Sequence, residues 1–360
     1  MKLIANNRRG GAALAAVLIM IILIAAGSAI MVVSGRGQIK EAKDLPVIAD
    51  PESSKPDESS SPDESSLPDD TSSEPEPETK LPEPARAANF QEIDFIKDDL
   101  ATKNAMLLNV TKNEIVAGKN YTEKIYPASL TKIMTLIVAV ENINDPSVEY
   151  KFTADKLAPL VEEKASVVGF LDGESIPFED LLYGAVLVSG ADATQGIASL
   201  VAGSEAKFVD MMNAKAEMLG LKNTHFVNTS GLHDDNHYST CEDMAMLFAY
   251  ALKNKMCRDV LSAATYTTVK TEQHPEGILL YSIVHSRFTG YWIDSEGAKY
   301  YVKGGKSGFT DEAGYALETF LEKNGETYIA INAMTPKEFG DEKCTMDNIA
   351  IYEKYLPKTK

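Results

Sequence analysis

The chain has 360 residues, of which 44% are hydrophobic and 24% are charged, and both fractions are ordinary for a soluble globular protein. Its 35 basic and 53 acidic residues give a formal net charge of −18, which argues against a nucleic-acid partner because phosphate binding needs clustered Lys and Arg. Three cysteines, an odd number without CxxC spacing, exclude a disulfide-dense scaffold and a zinc ribbon.

The N-terminal sequence predicts a membrane segment. Residues 12–33 are all apolar or small and would span about 33 Å as a helix, which matches the hydrocarbon thickness of a bilayer. A secretory signal usually has about 7–15 such residues, so the pattern favours an uncleaved transmembrane helix over residues 12–34, after a short cytoplasmic N-terminus at residues 1–11. A cleaved signal and a buried core helix remain alternatives. Basic residues flank the segment on both sides and do not fix its orientation.

Residues 35–88 are predicted to be a disordered linker. Nine of the sixteen prolines lie between Pro46 and Pro84, among near-repeats of Ser, Glu and Asp. Residues 50–84 contain twelve acidic and two basic side chains, which account for −10 of the net −18. Such a segment cannot bury enough apolar surface to offset the entropy of ordering, and its like charges keep it extended. We therefore expect it to hold a folded domain away from the bilayer.

Residues 89–360 are long enough for a sizeable core and are predicted to form the folded domain. Its strands and helices are predicted, in chain order, at Ala105–Asn109, Glu114–Ala117, Ser129–Asn142, Phe208–Leu219, Cys241–Leu252, Tyr300–Lys303, Gly314–Leu321, Thr327–Met334 and Asp347–Tyr355. Asn324-Gly325 predicts a hairpin turn between the last two strands. Strands at both ends with helices between them predict an α/β (α+β) fold, in which helices flank an antiparallel sheet and form an inserted subdomain.

Ser129 and Lys132 are the first candidate catalytic pair. They lie one turn apart at the start of the predicted helix and share a face. A backbone N–H at a helix start is free to hold an oxyanion, and a lysine whose pKa is lowered by burial or by a second cation could deprotonate the serine. The same Ser-x-x-Lys spacing occurs at Ser204–Lys207. The alternative interpretation is therefore a serine at a helix N-terminus beside a solvated lysine.

Two further segments contain candidate residues. Ser189 lies in VSGADA, after a helical pattern at Phe178–Tyr183, although a Ser-Gly pair between helices is also a common turn. In KGGKSGFT, small residues flank Lys306 on a predicted edge strand, where glycine usually means that another backbone, such as a peptide substrate, approaches closely. A phosphate-binding loop is excluded because the Gly-x-x-x-x-Gly-Lys order is absent.

In this order, the three segments resemble the Ser-x-x-Lys, Ser-x-Asn and Lys-Thr-Gly set of penicillin-binding proteins and class A β-lactamases. With the blocks YPASLTKIMT, EDLLYGAVLVSGADA, KNTHFVNTSGLHDDNHYST and GKSGFTDEAGY, the chain resembles the D-alanyl-D-alanine carboxypeptidases, the low-molecular-mass penicillin-binding proteins, from Phe95 to Tyr355. The resemblance implies a DD-peptidase/β-lactamase-like fold without a metal or cofactor. It also implies a substrate, a peptidoglycan stem peptide ending in D-Ala-D-Ala, and covalent inhibition by β-lactams. The catalytic domain would then lie outside the cytoplasm on a single-pass anchor, or be secreted if the N-terminal segment is cleaved.

The resemblance also implies a role for each matching residue. Ser129 would attack the carbonyl between two D-alanines, Lys132 would take the serine proton, and Ser189 would relay a proton to the leaving amine. Lys306 would supply positive charge that keeps Lys132 neutral, and the backbone N–H groups of Ser129 and Phe309 would form the oxyanion hole. Ser307 would donate a hydrogen bond to the substrate carboxylate. The implied substrate-binding residues are Lys306, Ser307, Gly308 and Phe309.

The chain departs from the family pattern at several positions. Ala191 stands where the family usually has asparagine, and Ser307 replaces threonine. Relatives often have an arginine after the last strand, where this chain offers only Lys343. These departures keep open a catalytically weak wall-binding or penicillin-sensing protein. A class A β-lactamase would need a Glu-x-x-Leu-Asn segment between Ser189 and Lys306, which the sequence lacks.

Three histidines, His225, His233 and His237, lie close together in the sequence. They are separated by glycine and by an Asp-Asp-Asn run, which predicts a loop rather than the helix on which His-x-x-x-His binds zinc. The sequence therefore predicts no metal site.

Overall fold

The computed structural model describes residues 80–143 and 145–358. The predicted N-terminus and membrane segment, residues 1–11 and 12–34, lie outside the described residues, as does the predicted linker up to residue 79. Within the described part, no helix is both long and apolar enough to cross a membrane. The first strand begins at Ala85, so regular structure starts four residues before the predicted domain boundary at residue 89.

The described residues form twelve strands and nine α-helices. The strands are β1 (Ala85–Glu92), β2 (Asn104–Asn109), β3 (Glu114–Lys119), β4 (Glu149–Lys151), β5 (Ser175–Pro177), β6 (Thr265–Thr267), β7 (Leu279–Tyr281), β8 (Ile293–Ser295), β9 (Ala298–Tyr300), β10 (Gly304–Thr310), β11 (Gly314–Lys323) and β12 (Glu326–Thr335). The helices are α1 (Lys132–Asn142), α2 (Ala154–Glu162), α3 (Phe178–Leu187), α4 (Ala191–Ala202), α5 (Glu205–Leu219), α6 (Cys241–Ala251), α7 (Lys255–Ser262), α8 (Ile283–Arg287) and α9 (Gly340–Tyr355). Short 3₁₀ turns occur at Ala128–Thr131 and Lys337–Phe339.

Six strands form one sheet in the order β1-β3-β2-β12-β11-β10. The N-terminal and C-terminal parts of the chain each supply three strands, and most of the helices lie between them in sequence, as predicted. Neighbouring strands from β3 to β10 are antiparallel, whereas β1 pairs with β3 in parallel. The predicted antiparallel sheet is therefore a mixed sheet. Sequence patterns missed β1 because its residues are largely exposed and its sequence, ARAANFQE, has no apolar alternation.

The sheet separates two hydrophobic layers, because successive strand residues point to opposite faces. On β2, Met106 and Leu108 pack with the layer that contains helices α1 and α6. Leu107, the residue between them, packs with the layer that contains α9, which includes Tyr352. The last helix begins at Gly340, seven residues before the predicted start at Asp347.

The predicted strand at Tyr300–Lys303 is wrong. Residues 301–303 are not part of a strand, and the long strand here is β10, which pairs with β11 at seven positions. Its first residues, Gly304 and Gly305, do not favour a strand by composition. Tertiary packing requires them, however, since a Cβ atom added to Gly304 would lie 2.1 Å from the carbonyl oxygen of Leu261. The other prediction about this segment is confirmed, because β10 is an edge strand.

The predicted hairpin turn and the predicted helix at Ser129–Asn142 are confirmed with small changes. Asn324 and Gly325 both have positive φ, 53° and 79°, and connect β11 to β12 as the hairpin pattern requires. The helix expected from Ser129 begins as a 3₁₀ turn and becomes α-helical at Lys132. Every residue of α1 from Lys132 to Ala139 is buried, in agreement with its apolar sequence.

Candidate active site

Ser129 lies in the tight 3₁₀ turn that precedes α1. Ala128, before it, has a φ of 47°, a left-handed conformation that is unfavourable for a residue with a side chain. Leu130 donates its backbone N–H to the carbonyl of Pro127 and closes the turn. The Ser129 side chain is only partly buried. A strained turn therefore places the Ser129 hydroxyl at the N-terminal end of a buried helix.

Lys132 contacts the serine directly. Its Nζ donates to Ser129 Oγ at 3.0 Å and to the backbone carbonyl of Ser230 at 2.6 Å. Burial lowers the pKa of Lys132 to about 7, against the opposing effect of the Asp192 carboxylate. A lysine with this pKa is largely neutral at slightly alkaline pH and can accept the serine proton. Of the two causes that the sequence left open, burial of the lysine is therefore the first, and the charge of Lys306, which the resemblance implied, is not the main one.

The segment from residue 228 to residue 231 forms one wall of the site. The carbonyl of Thr229 accepts from Thr135 Oγ1 at 2.7 Å, beside the Ser230 carbonyl that accepts from Lys132. Asn228 Oδ1 accepts from the N–H of Gly231 at 2.7 Å and holds the turn. Gly231 has a φ of 83°, and a Cβ atom there would lie 1.8 Å from the carbonyl oxygen of Ala128. This wall therefore packs directly against the backbone of the nucleophile's turn.

His237 fixes the same loop to the nucleophile's turn. Its Nε2 is 2.7 Å from Thr131 Oγ1, and its Nδ1 accepts from the backbone N–H of Val227 at 3.3 Å. Because Nδ1 accepts, the proton of the neutral imidazole lies on Nε2 and is donated to Thr131. Burial lowers the pKa of His237 to about 4, so the ring stays neutral at physiological pH. Among the described residues, no group of three His, Cys, Asp or Glu side chains is arranged to hold a metal ion.

Ser189 and Lys306 form a second hydrogen-bonded pair. Ser189 lies between α3 and α4 with a φ of 62°, the second left-handed non-glycine residue at this site. Lys306 Nζ donates to Ser189 Oγ at 3.0 Å and to the Ser307 carbonyl at 2.9 Å. The side chain of Lys306 is fully buried, and burial, followed by the charges of Lys132 and Arg287, lowers its pKa well below the ordinary value. Lys132 therefore lies close enough to influence the protonation of Lys306.

The start of α4 is held by Asp192, the residue after Ala191. Its buried carboxylate accepts from the backbone N–H groups of Val168 at 2.9 Å and Gly169 at 3.0 Å. Ala191 is itself buried, and its N–H donates to the Ser166 carbonyl at 2.7 Å. Ala191 and Ser230 also line a cleft of about 550 Å³ that adjoins the site. At position 191, a buried methyl group thus lines the cleft where the family usually has an asparagine amide.

Strand β10 brings the substrate-binding candidates to the nucleophile. A Cβ atom added to Gly308 would lie 3.1 Å from the backbone nitrogen of Ser129, so the strand runs close beside the turn. Ser307 is buried, whereas Phe309 is 41% exposed and packs on Tyr315 with ring centroids 4.3 Å apart. As an edge strand, β10 leaves alternate backbone groups free for another chain. The geometry allows an extended peptide to lie along it.

Two alternatives from the sequence lie elsewhere. Ser204, in the second Ser-x-x-Lys pair, caps α5 by accepting from the N–H of Lys207, whose side chain is exposed. Lys343 lies on α9, where it pairs with Asp347 at 3.2 Å and with Asp99. Because α9 packs on the sheet face opposite α1, Lys343 is not placed to receive a substrate carboxylate.

Sequence reasoning missed three groups near the site. The Ser230 carbonyl is a backbone group, so no residue pattern predicts it. Arg287 comes from the short helix α8, which gave no clear pattern, and its charge acts on Lys306. Glu318 is a buried carboxylic acid on β11. A sign of Glu318 was present in the sequence, since this acidic residue lies between Ala316 and Phe320, the apolar residues at alternate positions that share its face of the strand.

Comparisons with known proteins agree with this geometry. A family model described as D-alanyl-D-alanine carboxypeptidase matches residues 91–334. The D-alanyl-D-alanine carboxypeptidase DacF of Bacillus subtilis is 33% identical over 242 residues, which are 66% of this chain and 58% of the relative. DacA of Escherichia coli, with the same activity in its name, is 31% identical over 231 residues, 59% of this chain and 51% of the relative. The chain thus spans between half and three-fifths of the length of these relatives.

Solved structures show the same fold. The crystal structure of a Streptomyces DD-transpeptidase has a TM-score of 0.61 and 24% sequence identity, and the match covers 71% of this chain and 98% of that one. At this identity, the structural match is evidence for the fold alone. Because the family model matches more than half of the chain, over the segments that contain both hydrogen-bonded Ser–Lys pairs, this chain belongs to the D-alanyl-D-alanine carboxypeptidase family of serine peptidases.

Proposed function

We propose that this protein is a serine D-Ala-D-Ala carboxypeptidase that removes the terminal D-alanine from peptidoglycan stem peptides. The observation that carries the proposal is the contact between Lys132 Nζ and Ser129 Oγ at 3.0 Å, made by a buried lysine with a pKa of about 7. An activated nucleophile requires this arrangement, in which a base with a matched pKa lies within hydrogen-bond reach.

Acylation begins when Lys132 takes the proton of Ser129 and the serine oxygen attacks the carbonyl between the two D-alanines. Negative charge then develops on the carbonyl oxygen, which the backbone N–H groups of Ser129 and Phe309 stabilise. Ser189 relays a proton to the nitrogen of the departing D-alanine. Its hydrogen bond to Lys306 orients the Ser189 hydroxyl for this step.

The substrate chain is held along edge strand β10. Ser307 binds the terminal carboxylate, and Lys306, as an ammonium ion, supplies positive charge beside it. Gly308 lets the peptide approach the nucleophile's turn, since a side chain there would crowd the backbone of Ser129. Water then hydrolyses the acyl-enzyme and releases the shortened peptide. β-Lactams inhibit by forming the same acyl bond to Ser129, which water then hydrolyses slowly.

The replacement at Ala191 supports a second candidate, a catalytically weak penicillin-binding or wall-sensing protein. The side-chain amide that the family usually places here is missing, and no described hydrogen bond of Lys132 replaces it from α4. Such a protein would still form an acyl-enzyme with penicillin but would release D-alanine slowly. A class A β-lactamase is the less favoured alternative, since the sequence lacks the Glu-x-x-Leu-Asn segment.

The decisive experiment measures D-alanine release and fluorescent penicillin labelling with the full-length protein. We expect Ser129→Ala to abolish both. Ser204→Ala is a matched control, because it removes the serine of the second Ser-x-x-Lys pair at the N-cap of α5 and leaves the site intact. Retained labelling in Ser129→Ala would contradict the proposal. Labelling without D-alanine release in the wild type would favour the sensing protein.

We also propose that residues 12–34 anchor the protein in the cell membrane and that the 35–84 segment holds the domain outside the cytoplasm, where peptidoglycan lies. Protease added to intact protoplasts should then cut this segment and release a domain near 30 kDa. Protection of the full-length protein would place the domain in the cytoplasm and would leave the enzyme without its substrate. Release of the domain without any protease would indicate a cleaved signal.

A further inference from the structure

Glu318 is a buried carboxylic acid with no evident structural role. It lies on β11 between Ala316 and Phe320, which share its face of the sheet and pack with the layer around α1 and α6. Its side chain is 0% exposed, and neither oxygen has a hydrogen-bond partner among the described residues. A buried polar group without a partner lowers stability, so its presence calls for a functional explanation.

Glu318 lies directly opposite Lys306 in the register of β10 and β11. Opposed residues on antiparallel strands point to the same face, with Cβ atoms about 4.5–5.5 Å apart. Both side chains are long, and both are fully buried. A lysine of the proposed active site and a carboxylic acid from the neighbouring strand are therefore buried opposite each other on one face of the sheet.

The groups around this pair disfavour a charge on either member while the site is empty. Burial, Lys132 from α1 and Arg287 from α8 lower the pKa of Lys306, and burial raises the pKa of Glu318. The other titratable groups that interact with Glu318 are neutral: the thiol of Cys241 from α6 and the phenol of Tyr352 from α9, whose pKa values burial also raises. In the empty site, these surroundings therefore favour the protonated carboxyl of Glu318 and the neutral amine of Lys306.

A bound substrate changes this balance because its carboxylate would lie beside Ser307. An anion close to Lys306 favours the ammonium form. Two buried groups that interact strongly titrate as a pair rather than separately. Glu318, opposite Lys306 on the neighbouring strand, can supply the proton for this form.

We propose that Glu318 and Lys306 hold one proton between them, on Glu318 in the empty site and on Lys306 when a ligand carboxylate is bound. In the transfer, the O–H bond of Glu318 breaks and a third N–H bond forms on Lys306, so the pair stays neutral overall. No hydrogen bond joins the two groups in the empty state. The transfer therefore requires a rotation of the two flexible side chains. Glu318 is therefore a positioning residue that acts through Lys306. The ligand in this inference rests on the proposed function, whereas the pair itself rests on the fold.

The first test counts the protons exchanged with solvent during acylation. The full-length protein is mixed with excess benzylpenicillin in weak buffer near pH 7.5, and a pH indicator follows the reaction. In the wild type, Glu318 supplies the proton, and we expect no net uptake. In Glu318→Gln, Lys306 must take its proton from water, and we expect uptake approaching one proton per acyl-enzyme. Glu322→Gln is the control, since it removes an exposed carboxylate of the same strand that pairs with Arg258.

The second test needs no catalysis. The infrared difference spectrum between the wild type and Glu318→Gln, both without ligand, should contain the band of a protonated carboxyl. Acylation by benzylpenicillin should replace this band with that of a carboxylate. A structural role of Glu318 would change the melting temperature but would move neither the proton count nor these bands.

Three results would overturn the inference. They are a carboxylate band in the empty wild type, equal proton uptake by the wild type and Glu318→Gln, and no change of the band on acylation. If the wild type is not acylated at all, the proposed function fails, but the band of the empty protein still shows whether Glu318 stores a proton. If Glu318→Gln does not fold, Glu318→Met provides the same comparison with a similar volume.

Discussion

Gly231→Ala should disable acylation although residue 231 takes no part in the chemistry. The added Cβ atom would lie 1.8 Å from the carbonyl oxygen of Ala128 and 2.9 Å from the nitrogen of Ser129, whereas an ordinary contact is at least about 3.4 Å. The turn cannot yield easily, because Ala128 is already left-handed and Gly308 also lies close to the Ser129 nitrogen. Either this turn or the loop at residue 231 must therefore move by about 1.5 Å.

A displacement of this size has two measurable effects. Misplacing a reacting group by about 1 Å costs about 10²-fold in rate, so the rate of acylation by fluorescent penicillin should fall at least that much. The alanine also has a strained left-handed backbone, which costs about 1–2 kcal/mol, and crowding adds about 1–3 kcal/mol of destabilisation. The melting temperature should fall with the acylation rate.

Gly290→Ala is the matched control for the backbone strain. Gly290 has a φ of 84°, almost the same as the 83° of Gly231, but nothing lies within 4 Å of its added Cβ atom. The stability of Gly290→Ala should fall only by the cost of the left-handed backbone, and the variant should acylate at the wild-type rate. The reasoning is refuted if Gly231→Ala acylates as fast as Gly290→Ala at a similar melting temperature.

Three further predictions follow from the site. The acylation rate should rise with pH through about 7, because Lys132 must be neutral to act as a base. The rate at pH 5 should be about 100-fold below the plateau, and a flat profile between pH 5 and 9 would contradict the role of Lys132. The pKa of His237 is about 4 in the folded protein and 6.5 in the unfolded chain. This difference contributes up to about 3 kcal/mol to the free energy of unfolding, which is fully present above pH 6.5 and is lost as the pH falls towards 4. Urea unfolding at pH 4.5 and 7.5 should therefore show a smaller pH dependence in His237→Gln, and an unchanged dependence would exclude the histidine as its cause. Ala191→Asn should raise the acylation rate about tenfold, because the amide would enter the cleft beside Ser230 and could hydrogen-bond Lys132 once it becomes charged by taking the serine proton. Slower acylation with a lower melting temperature would show that the site is packed around alanine.

The sequence determined the features that depend on neighbours along the chain. Apolar periodicity located α1 and α6, and Asn324-Gly325 located the last hairpin, because helices and tight turns form between residues a few positions apart. Three short motifs in the right order indicated the family. The pair Ser129–Lys132 could be predicted as neighbours, since a spacing of three on a helix places both side chains on one face.

Only the tertiary structure decided which distant groups meet. Lys132 contacts the Ser230 carbonyl across 98 residues and Lys306 contacts Ser189 across 117, and no local pattern contains such distances. Strand β10 was misplaced because its glycines are selected by the close approach of other backbones and not by strand propensity. The pairing of Lys306 with Glu318 likewise follows from strand register, which is set by the packing of whole faces of the sheet. The sequence therefore contains the reactive residues, and the fold determines the burial and the partners that set their protonation.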